Sequence, residues 1–81
     1  MFTVYILQSE KTGRHYIGFT SDLEKRLQYH NGGKNKSTKN DRPWRVIWRE
    51  VFENKKDAWL REHQIKRFKG GEAFKKLINR L

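Results

Sequence analysis

The sequence contains no cysteine, and this absence excludes both disulfide bonds and thiolate metal sites. It also contains no apolar run that approaches the roughly 20 residues required by a membrane-spanning helix. Residues 1–5 show no basic stretch ahead of a hydrophobic segment, which a secretion signal would need. We therefore expect a cytoplasmic protein that is neither exported nor inserted in a membrane.

Acidic residues are also few. Nine Asp and Glu stand against 19 Lys and Arg, which gives a formal net charge of +10. A surface this basic attracts polyanions, and the release of counterions from phosphates makes such binding strongly salt-dependent. We expect nucleic acid as the partner. The charge alone does not separate an enzyme from a ribosomal or merely basic protein.

At 81 residues the chain is predicted to form one domain, residues 1–81, with a thin core. Residues 3–8 and 14–19 are rich in β-branched and aromatic side chains and predict two strands, joined as an antiparallel hairpin by a turn. Residues 44–52 follow the single proline and predict a third strand. We expect an α+β fold in which helices pack around a three-stranded antiparallel sheet, in the order β-β-α-β-α-α.

Capping residues and glycine pairs predict three helices. Ser21 and Glu24 fit a capping box at the start of the first helix, and a Gly-Gly pair follows its end. Asn54 caps the second helix, which a further Gly-Gly pair separates from the last. The predicted helices span residues 21–31, 54–68 and 72–81.

The basic loop, residues 34–42, separates the first helix from the third strand and carries four Lys plus Arg. One interpretation is a solvated, mobile connector. The other is a segment that follows the phosphates of a bound nucleic acid beside a functional site.

Ionisable residues interrupt the apolar pattern of both long helices. Arg26 and His30, four residues apart, lie along the edge of the apolar stripe of the first helix. Glu62 lies in the apolar row of the second helix, between Ala58 and Ile65. A carboxylate there costs free energy unless it is paired, hydrogen-bonded or bound to a metal ion, so it is either a structural ion pair, an edge residue or a functional group.

Two short motifs on the predicted hairpin give these residues a context. Residues 4–6 (Val-Tyr-Ile) and 16–18 (Tyr-Ile-Gly) resemble the two motifs for which the GIY-YIG nuclease family is named. Val4 replaces the glycine of the first motif, a change that affects packing more than chemistry because the tyrosine is kept. The segments around Arg26 and Glu62 resemble those that follow in the family, so the resemblance covers almost the whole chain. It extends to the small stand-alone members related to the N-terminal nuclease domain of the excision-repair incision enzyme.

The resemblance implies a magnesium-dependent endonuclease that hydrolyses phosphodiester bonds in nucleic acid, DNA in preference to RNA. It implies Glu62 as the ligand of one Mg²⁺ or Mn²⁺ ion and Arg26 as the group that stabilises the transition state. Tyr5, slightly favoured over Tyr16, is implied as the base that activates water. His30 would bind the phosphate or a tyrosine, or act as the base itself.

Non-catalytic functions are also compatible with these residues. Both tyrosines would fit a hairpin core in which their hydroxyls are hydrogen-bonded. The protein would then be a non-catalytic nucleic-acid-binding module of the same fold, or an RNA-associated structural protein whose aromatic residues stack on bases. A protein partner that guides so small a domain to its target is compatible with each of these functions.

Overall fold

A computed structural model describes residues 1–79 of the chain. It confirms the predicted α+β fold and the order β-β-α-β-α-α. The end of the helix predicted over residues 72–81 lies outside the described residues. The strands are β1 (Phe2–Ser9), β2 (His15–Thr20) and β3 (Trp44–Phe52), and the α-helices are α1 (Leu23–Asn31), α2 (Lys55–Phe68) and α3 (Glu72–Ile78).

The sheet has the order β2-β1-β3, with β1 antiparallel to both neighbours. This arrangement confirms the hairpin predicted from the sequence. In its register, Tyr5 lies opposite Gly18 and Leu7 lies opposite Tyr16. Because residues two apart on a strand share a face, the two tyrosines are diagonal neighbours on one face of the sheet.

Side chains of β1 alternate between two apolar clusters on the two faces of the sheet. Val4 and Ile6 pack with residues of α2 and α3, including Ala58 and Ile65. Tyr5 packs on the other face, in a smaller cluster that partly buried residues of α1 complete. The central strand therefore joins both halves of the core.

A bulge explains why the apolar pattern of β3 alternates imperfectly. The pairing of β1 with β3 shifts between Ile6, which lies opposite Trp48, and Leu7, which lies opposite Val46. An extra residue in one strand inverts the facing of every side chain beyond it. Trp44 and Val46 consequently pack beside Tyr5, whereas Trp48 packs on the other face of the sheet.

The start of α1 differs from the predicted capping box. The N-cap is Asp22, whose Oδ1 accepts a hydrogen bond of 3.1 Å from the backbone N–H of Lys25, while Ser21 is exposed. A carboxylate at this position also interacts favourably with the positive end of the helix dipole. The helix therefore begins at Leu23, after the predicted capping position.

The second helix confirms its prediction at both ends. Asn54 is the N-cap, with its side-chain oxygen 2.9 Å from the backbone nitrogen of Asp57, and the helix ends at Phe68. At 14 residues it is long enough to span the sheet, and its buried face includes Ala58 and Ile65. Within residues 1–79, no helix has the length and apolar character needed to cross a membrane.

The basic loop, predicted as a solvated connector or a phosphate-following segment, is anchored to the rest of the fold at two of its residues. Its residues Thr38 and Asp41 are buried. Ser9 Oγ donates a hydrogen bond of 2.6 Å to the carbonyl oxygen of Asp41, and Trp44 Nε1 donates one of 2.9 Å to that of Thr38. The four Lys and Arg side chains of the loop nevertheless remain exposed.

Ile65 offers a test of this packing because it is fully buried against the sheet. We expect Ile65→Ala to lower the free energy of unfolding by about 2–5 kcal/mol, since it removes apolar contacts and leaves a cavity. Leu60→Ala is the matched control on the same helix, where Leu60 is 49% exposed, and we expect a change within about 0.5 kcal/mol. Chemical denaturation measures both, and equal effects would contradict the assigned orientation of α2.

Candidate active site

A hydrogen-bonded row of buried side chains connects β1, α1 and the basic loop. Tyr5 is 2% exposed, and its hydroxyl lies 3.4 Å from His30 Nε2. The other ring nitrogen of His30, Nδ1, lies 3.0 Å from Thr38 Oγ1. Of the two partners expected for His30, phosphate or tyrosine, the structure places a tyrosine beside it. Because His30 is fully buried, contact with a phosphate would require the surrounding groups to move.

Tyr16 borders this row and is only partly buried. Its ring centroid is 4.6 Å from that of His30 and 6.5 Å from that of Tyr5, with the two phenol rings stacked. Trp44 closes the inner side with an edge contact at 6.4 Å. Of the two hairpin tyrosines, Tyr16 is therefore the one with access to solvent.

Gly18, the last residue of the second hairpin motif, leaves space for the side chain of Tyr5. A Cβ atom placed there would lie 2.7 Å from Tyr5 Oη and 2.9 Å from Tyr5 Cζ. Both distances are shorter than a van der Waals contact, so the phenol of Tyr5 occupies the space above the glycine. The first and second motifs are thus two halves of one packing arrangement.

Arg26 lies on the exposed side of α1, near the row of buried groups. Its guanidinium carbon is 5.6 Å from the ring centroid of Tyr29, a geometry that favours a cation–π interaction. The charge of Arg26 lowers the pKa of His30, after the larger lowering that burial causes. His30 therefore resists protonation.

Glu62 lies on the sheet side of α2 and is 8% exposed. Lys66 Nζ is 3.1 Å from its Oε1, and His63 Nδ1 is 3.7 Å from the same oxygen. The structural ion pair considered for Glu62 is therefore present. The Glu62 side chain keeps 11% of its surface accessible, and its partner Lys66 is about half exposed, so a ligand could exchange with the Lys66 ammonium.

The ionisation of Tyr5 depends on its burial and on the neighbouring ionisable groups. Burial is the main cause that raises the pKa of Tyr5 far above its ordinary value; Tyr16 and Glu62 raise it further, whereas Arg26 lowers it. Charges act on a hydroxyl in this way only over short distances. The charges of Arg26 on α1 and Glu62 on α2 are therefore near enough to Tyr5 to act on its ionisation.

The donor atoms at this region fit magnesium better than a softer metal. Within residues 1–79, no group of three or more His, Cys, Asp and Glu side chains is positioned to hold a metal ion. Mg²⁺ retains several water ligands and is commonly bound by one or two carboxylates together with substrate phosphates. A site built on Glu62 alone matches that requirement, whereas a zinc site would need three or four protein ligands.

Sequence reasoning missed Thr38 as part of this region. Its position in a polar loop gives no sign that the hydroxyl is buried against His30. Asn31 was predicted only as the end of a helix, yet its side chain accepts from the backbone N–H of Trp44 at 2.6 Å and donates to its carbonyl oxygen at 3.1 Å. Both contacts depend on how the loop closes, so they could not be predicted from the residues next to Thr38 and Asn31 in the sequence.

Comparison with known proteins identifies the family of the chain. The sequence profile of the GIY-YIG catalytic domain matches residues 1–75. The chain therefore belongs to the GIY-YIG family, which confirms the resemblance noted on the hairpin.

Small relatives match over most of their length. UPF0213 protein SH2523 of Staphylococcus haemolyticus is 37% identical over 78 residues, which cover 95% of this chain and 94% of that protein. UPF0213 protein SSP2268 of Staphylococcus saprophyticus is 41% identical over 66 residues, which cover 80% and 79%. The solution NMR structure of UPF0213 protein BH0048 from Bacillus halodurans superimposes with a TM-score of 0.61 at 30% identity, covering 98% of this chain and 84% of that one.

The burial of His30 predicts a pH dependence of stability. The pKa of His30 is lowered from 6.5 by burial and by Arg26, so the unfolded chain binds a proton more readily than the folded one. Stability should be unaffected above about pH 6.5 and should fall as the pH drops through the lower folded pKa. His15, whose pKa burial and Lys69 lower, contributes with the same sign.

We expect His30→Gln to reduce this loss, because glutamine does not titrate. Denaturation at a series of pH values from 7.5 to about 5 measures the slope, and the double variant with His15→Gln should be the flattest. If the free energy of unfolding of His30→Gln depends on pH as steeply as that of the parent, the acid sensitivity originates in other residues.

Proposed function

We propose that this protein is a metal-dependent endonuclease that hydrolyses phosphodiester bonds in nucleic acid, with DNA preferred over RNA. Membership of the GIY-YIG family supports a nuclease. The observation that carries the proposal is the packed group of Tyr5, His30 and Tyr16. The charges of Arg26 and Glu62, on different helices, both act on the pKa of Tyr5 and place a cation and a carboxylate in its surroundings. A cation and a carboxylate beside a phenol provide the groups that phosphodiester cleavage requires.

Glu62 is the proposed ligand for Mg²⁺ or Mn²⁺. Such an ion, when bound, neutralises negative charge on the phosphate and on the leaving oxygen. Lys66 compensates the Glu62 carboxylate in the free protein, at 3.1 Å. Its flexible side chain can turn toward a phosphate oxygen when the nucleic acid is bound, so that the positive charge remains in the site.

Arg26 is the proposed phosphate-binding group. It is exposed, and its planar guanidinium can donate two parallel hydrogen bonds to phosphate oxygens. These bonds strengthen as negative charge accumulates in the transition state. The contact with Tyr29 restricts the guanidinium before the substrate arrives.

Tyr16 is the proposed base, which reverses the slight preference for Tyr5 drawn from the sequence. Tyr5 is buried and its pKa is raised, and both properties oppose a role in accepting a proton from water near neutral pH. Tyr16 lies beside it with access to solvent. We assign Tyr5 and His30 the role of positioning Tyr16, whose ring contacts both of theirs.

The second candidate function is a nucleic-acid-binding module without catalysis. The ion pair between Glu62 and Lys66 favours it, because a carboxylate neutralised by an ammonium needs no metal ion. The exposed cations of the basic loop would then supply affinity alone. The two functions differ in whether the pure protein nicks nucleic acid when Mg²⁺ is added.

We expect the protein to nick branched, single-stranded or duplex DNA in Mg²⁺ and to be inactive in EDTA. Glu62→Gln should reduce cleavage by about two orders of magnitude or more, since it removes the metal ligand while keeping the shape of the side chain. Its affinity for DNA in EDTA should match that of the parent. Glu72→Gln is the matched control, because this carboxylate is 83% exposed on α3.

Two outcomes would contradict the assignment. If Glu62→Gln cuts as well as the parent, the metal ligand lies elsewhere. If the parent binds each substrate yet cuts none of them in Mg²⁺ or Mn²⁺, the non-catalytic module is the correct function.

The tyrosines can be separated by removing one hydroxyl at a time. We expect Tyr16→Phe to lower the single-turnover cleavage rate by about 10²- to 10⁴-fold, the usual contribution of a general base, with little change in stability. Tyr5→Phe should lower stability by about 1–3 kcal/mol, because it leaves a buried ring nitrogen of His30 without its partner, and should affect the rate less. A larger rate loss in a well-folded Tyr5→Phe protein would restore Tyr5 as the base.

A further inference from the structure

A large aromatic side chain is exposed on α2 beside the candidate metal ligand. Trp59 is 47% exposed, whereas Trp44 and Trp48 are buried at 4% and 9%. The Trp59 ring lies against the imidazole of His63, with centroids 4.0 Å apart. His63 Nδ1 donates a hydrogen bond of 2.9 Å to the carbonyl oxygen of Trp59, which holds the imidazole under the indole. The pair is therefore an ordered surface, yet almost half of Trp59 remains open.

The pair is continuous with the candidate site. Trp59 and Glu62 are three residues apart on α2, so their side chains emerge on the same side of the helix, roughly 60° apart around its axis. His63 Nδ1 is also 3.7 Å from Glu62 Oε1. Lys66 adds a cation that contacts the same carboxylate at 3.1 Å. A flat aromatic surface, a carboxylate and an ammonium thus lie within one helical turn of one another.

Packing within the described residues does not account for this aromatic surface. Trp59 belongs to neither apolar cluster of the core. Leu60 is equally exposed, at 49%, but it lies roughly 160° around the helix from Glu62. The other side of α2 is occupied by Arg61, which is bonded to Glu50 and lies over the ring of Trp48. Of these exposed side chains on α2, Trp59 is the aromatic one that lies on the side of Glu62.

We propose that Trp59, supported by His63, stacks on an unpaired nucleobase next to the phosphate bound at Glu62. The identity of that phosphate as the one cleaved rests on the proposed function. A base can stack on a side chain only where it is not paired and stacked within a duplex. The substrate class is therefore a strand with at least one unpaired nucleotide beside the cleaved bond. The net charge of +10 and the cation at Lys66 complement the phosphates on either side of such a base.

Binding in EDTA tests this proposal without any cleavage. The probe is a short oligothymidylate, compared with an abasic oligonucleotide of the same length, which keeps the phosphates and lacks the bases. Trp59 is the exposed tryptophan, so stacking should quench the intrinsic fluorescence of the unmodified protein with oligothymidylate and not with the abasic strand. Equal quenching by both strands, or none by either at saturation, would overturn the proposal.

Variants then assign the effect to the ring. At one salt concentration, Trp59→Ala should bind oligothymidylate about 5- to 150-fold more weakly, the range expected for the loss of one stacked base. Its affinity for the abasic strand should be unchanged. Trp59→Phe should recover most of the loss, and Leu60→Ala, which removes an equally exposed apolar side chain on the opposite side, should bind as the parent does.

The outcomes separate this proposal from the proposed function. If Trp59→Ala weakens binding of both strands equally, or of neither, Trp59 does not stack on a base, and the effect of Glu62→Gln on cleavage remains a separate result. If stacking is present and the protein cuts nothing, the aromatic surface belongs to a binding module. Should Trp59→Ala fail to fold, the fluorescence of the unmodified protein and the binding of Trp59→Phe still decide the question.

Discussion

The burial of the Tyr5 hydroxyl is the constraint on which the rest of the site depends. A phenol in the core needs space and a hydrogen-bond partner, since an unpaired buried polar group costs about 1–3 kcal/mol. Gly18 provides the space, because any Cβ there would overlap the hydroxyl. His30 provides the partner and is itself held by Thr38. One buried side chain in the central strand thereby fixes the hairpin, α1 and the basic loop relative to one another.

The two charged groups of the proposed mechanism differ in their exposure to solvent. Arg26 is exposed and can reach a substrate directly, whereas Glu62 is nearly buried and is compensated by Lys66. On a chain with a net charge of +10, a divalent cation is electrostatically disfavoured until phosphates arrive with it. In the proposed mechanism, binding of the metal ion and of the nucleic acid would therefore strengthen each other, because each reduces the charge repulsion that the other meets.

Tyr16 and Trp59 indicate where a nucleic acid would lie in the proposed site. Tyr16 lies between the buried row and solvent, so the chemistry would take place at the exposed edge of its ring. Trp59 lies beside Glu62 on α2, so a strand bound through its phosphates would place a base against the indole. Phosphate contacts supply most of the affinity in such an interface, while an aromatic surface selects unpaired nucleotides without reading their sequence.

Local signals in the sequence were sufficient to predict the elements, their order and the family, because strands, caps and glycine breaks depend on neighbouring residues. Asn54 as a cap and the antiparallel hairpin followed from such local signals, and the same signals misplaced only the cap of α1, where Asp22 competes with Ser21. Tertiary structure alone decided the rest. The bulge in β3 inverts which aromatic residues face Tyr5, and loop closure brings Thr38 to His30. Contacts between residues distant in sequence also cause the burial that raises the pKa of Tyr5. Such contacts cannot be predicted from the spacing of apolar residues along the chain.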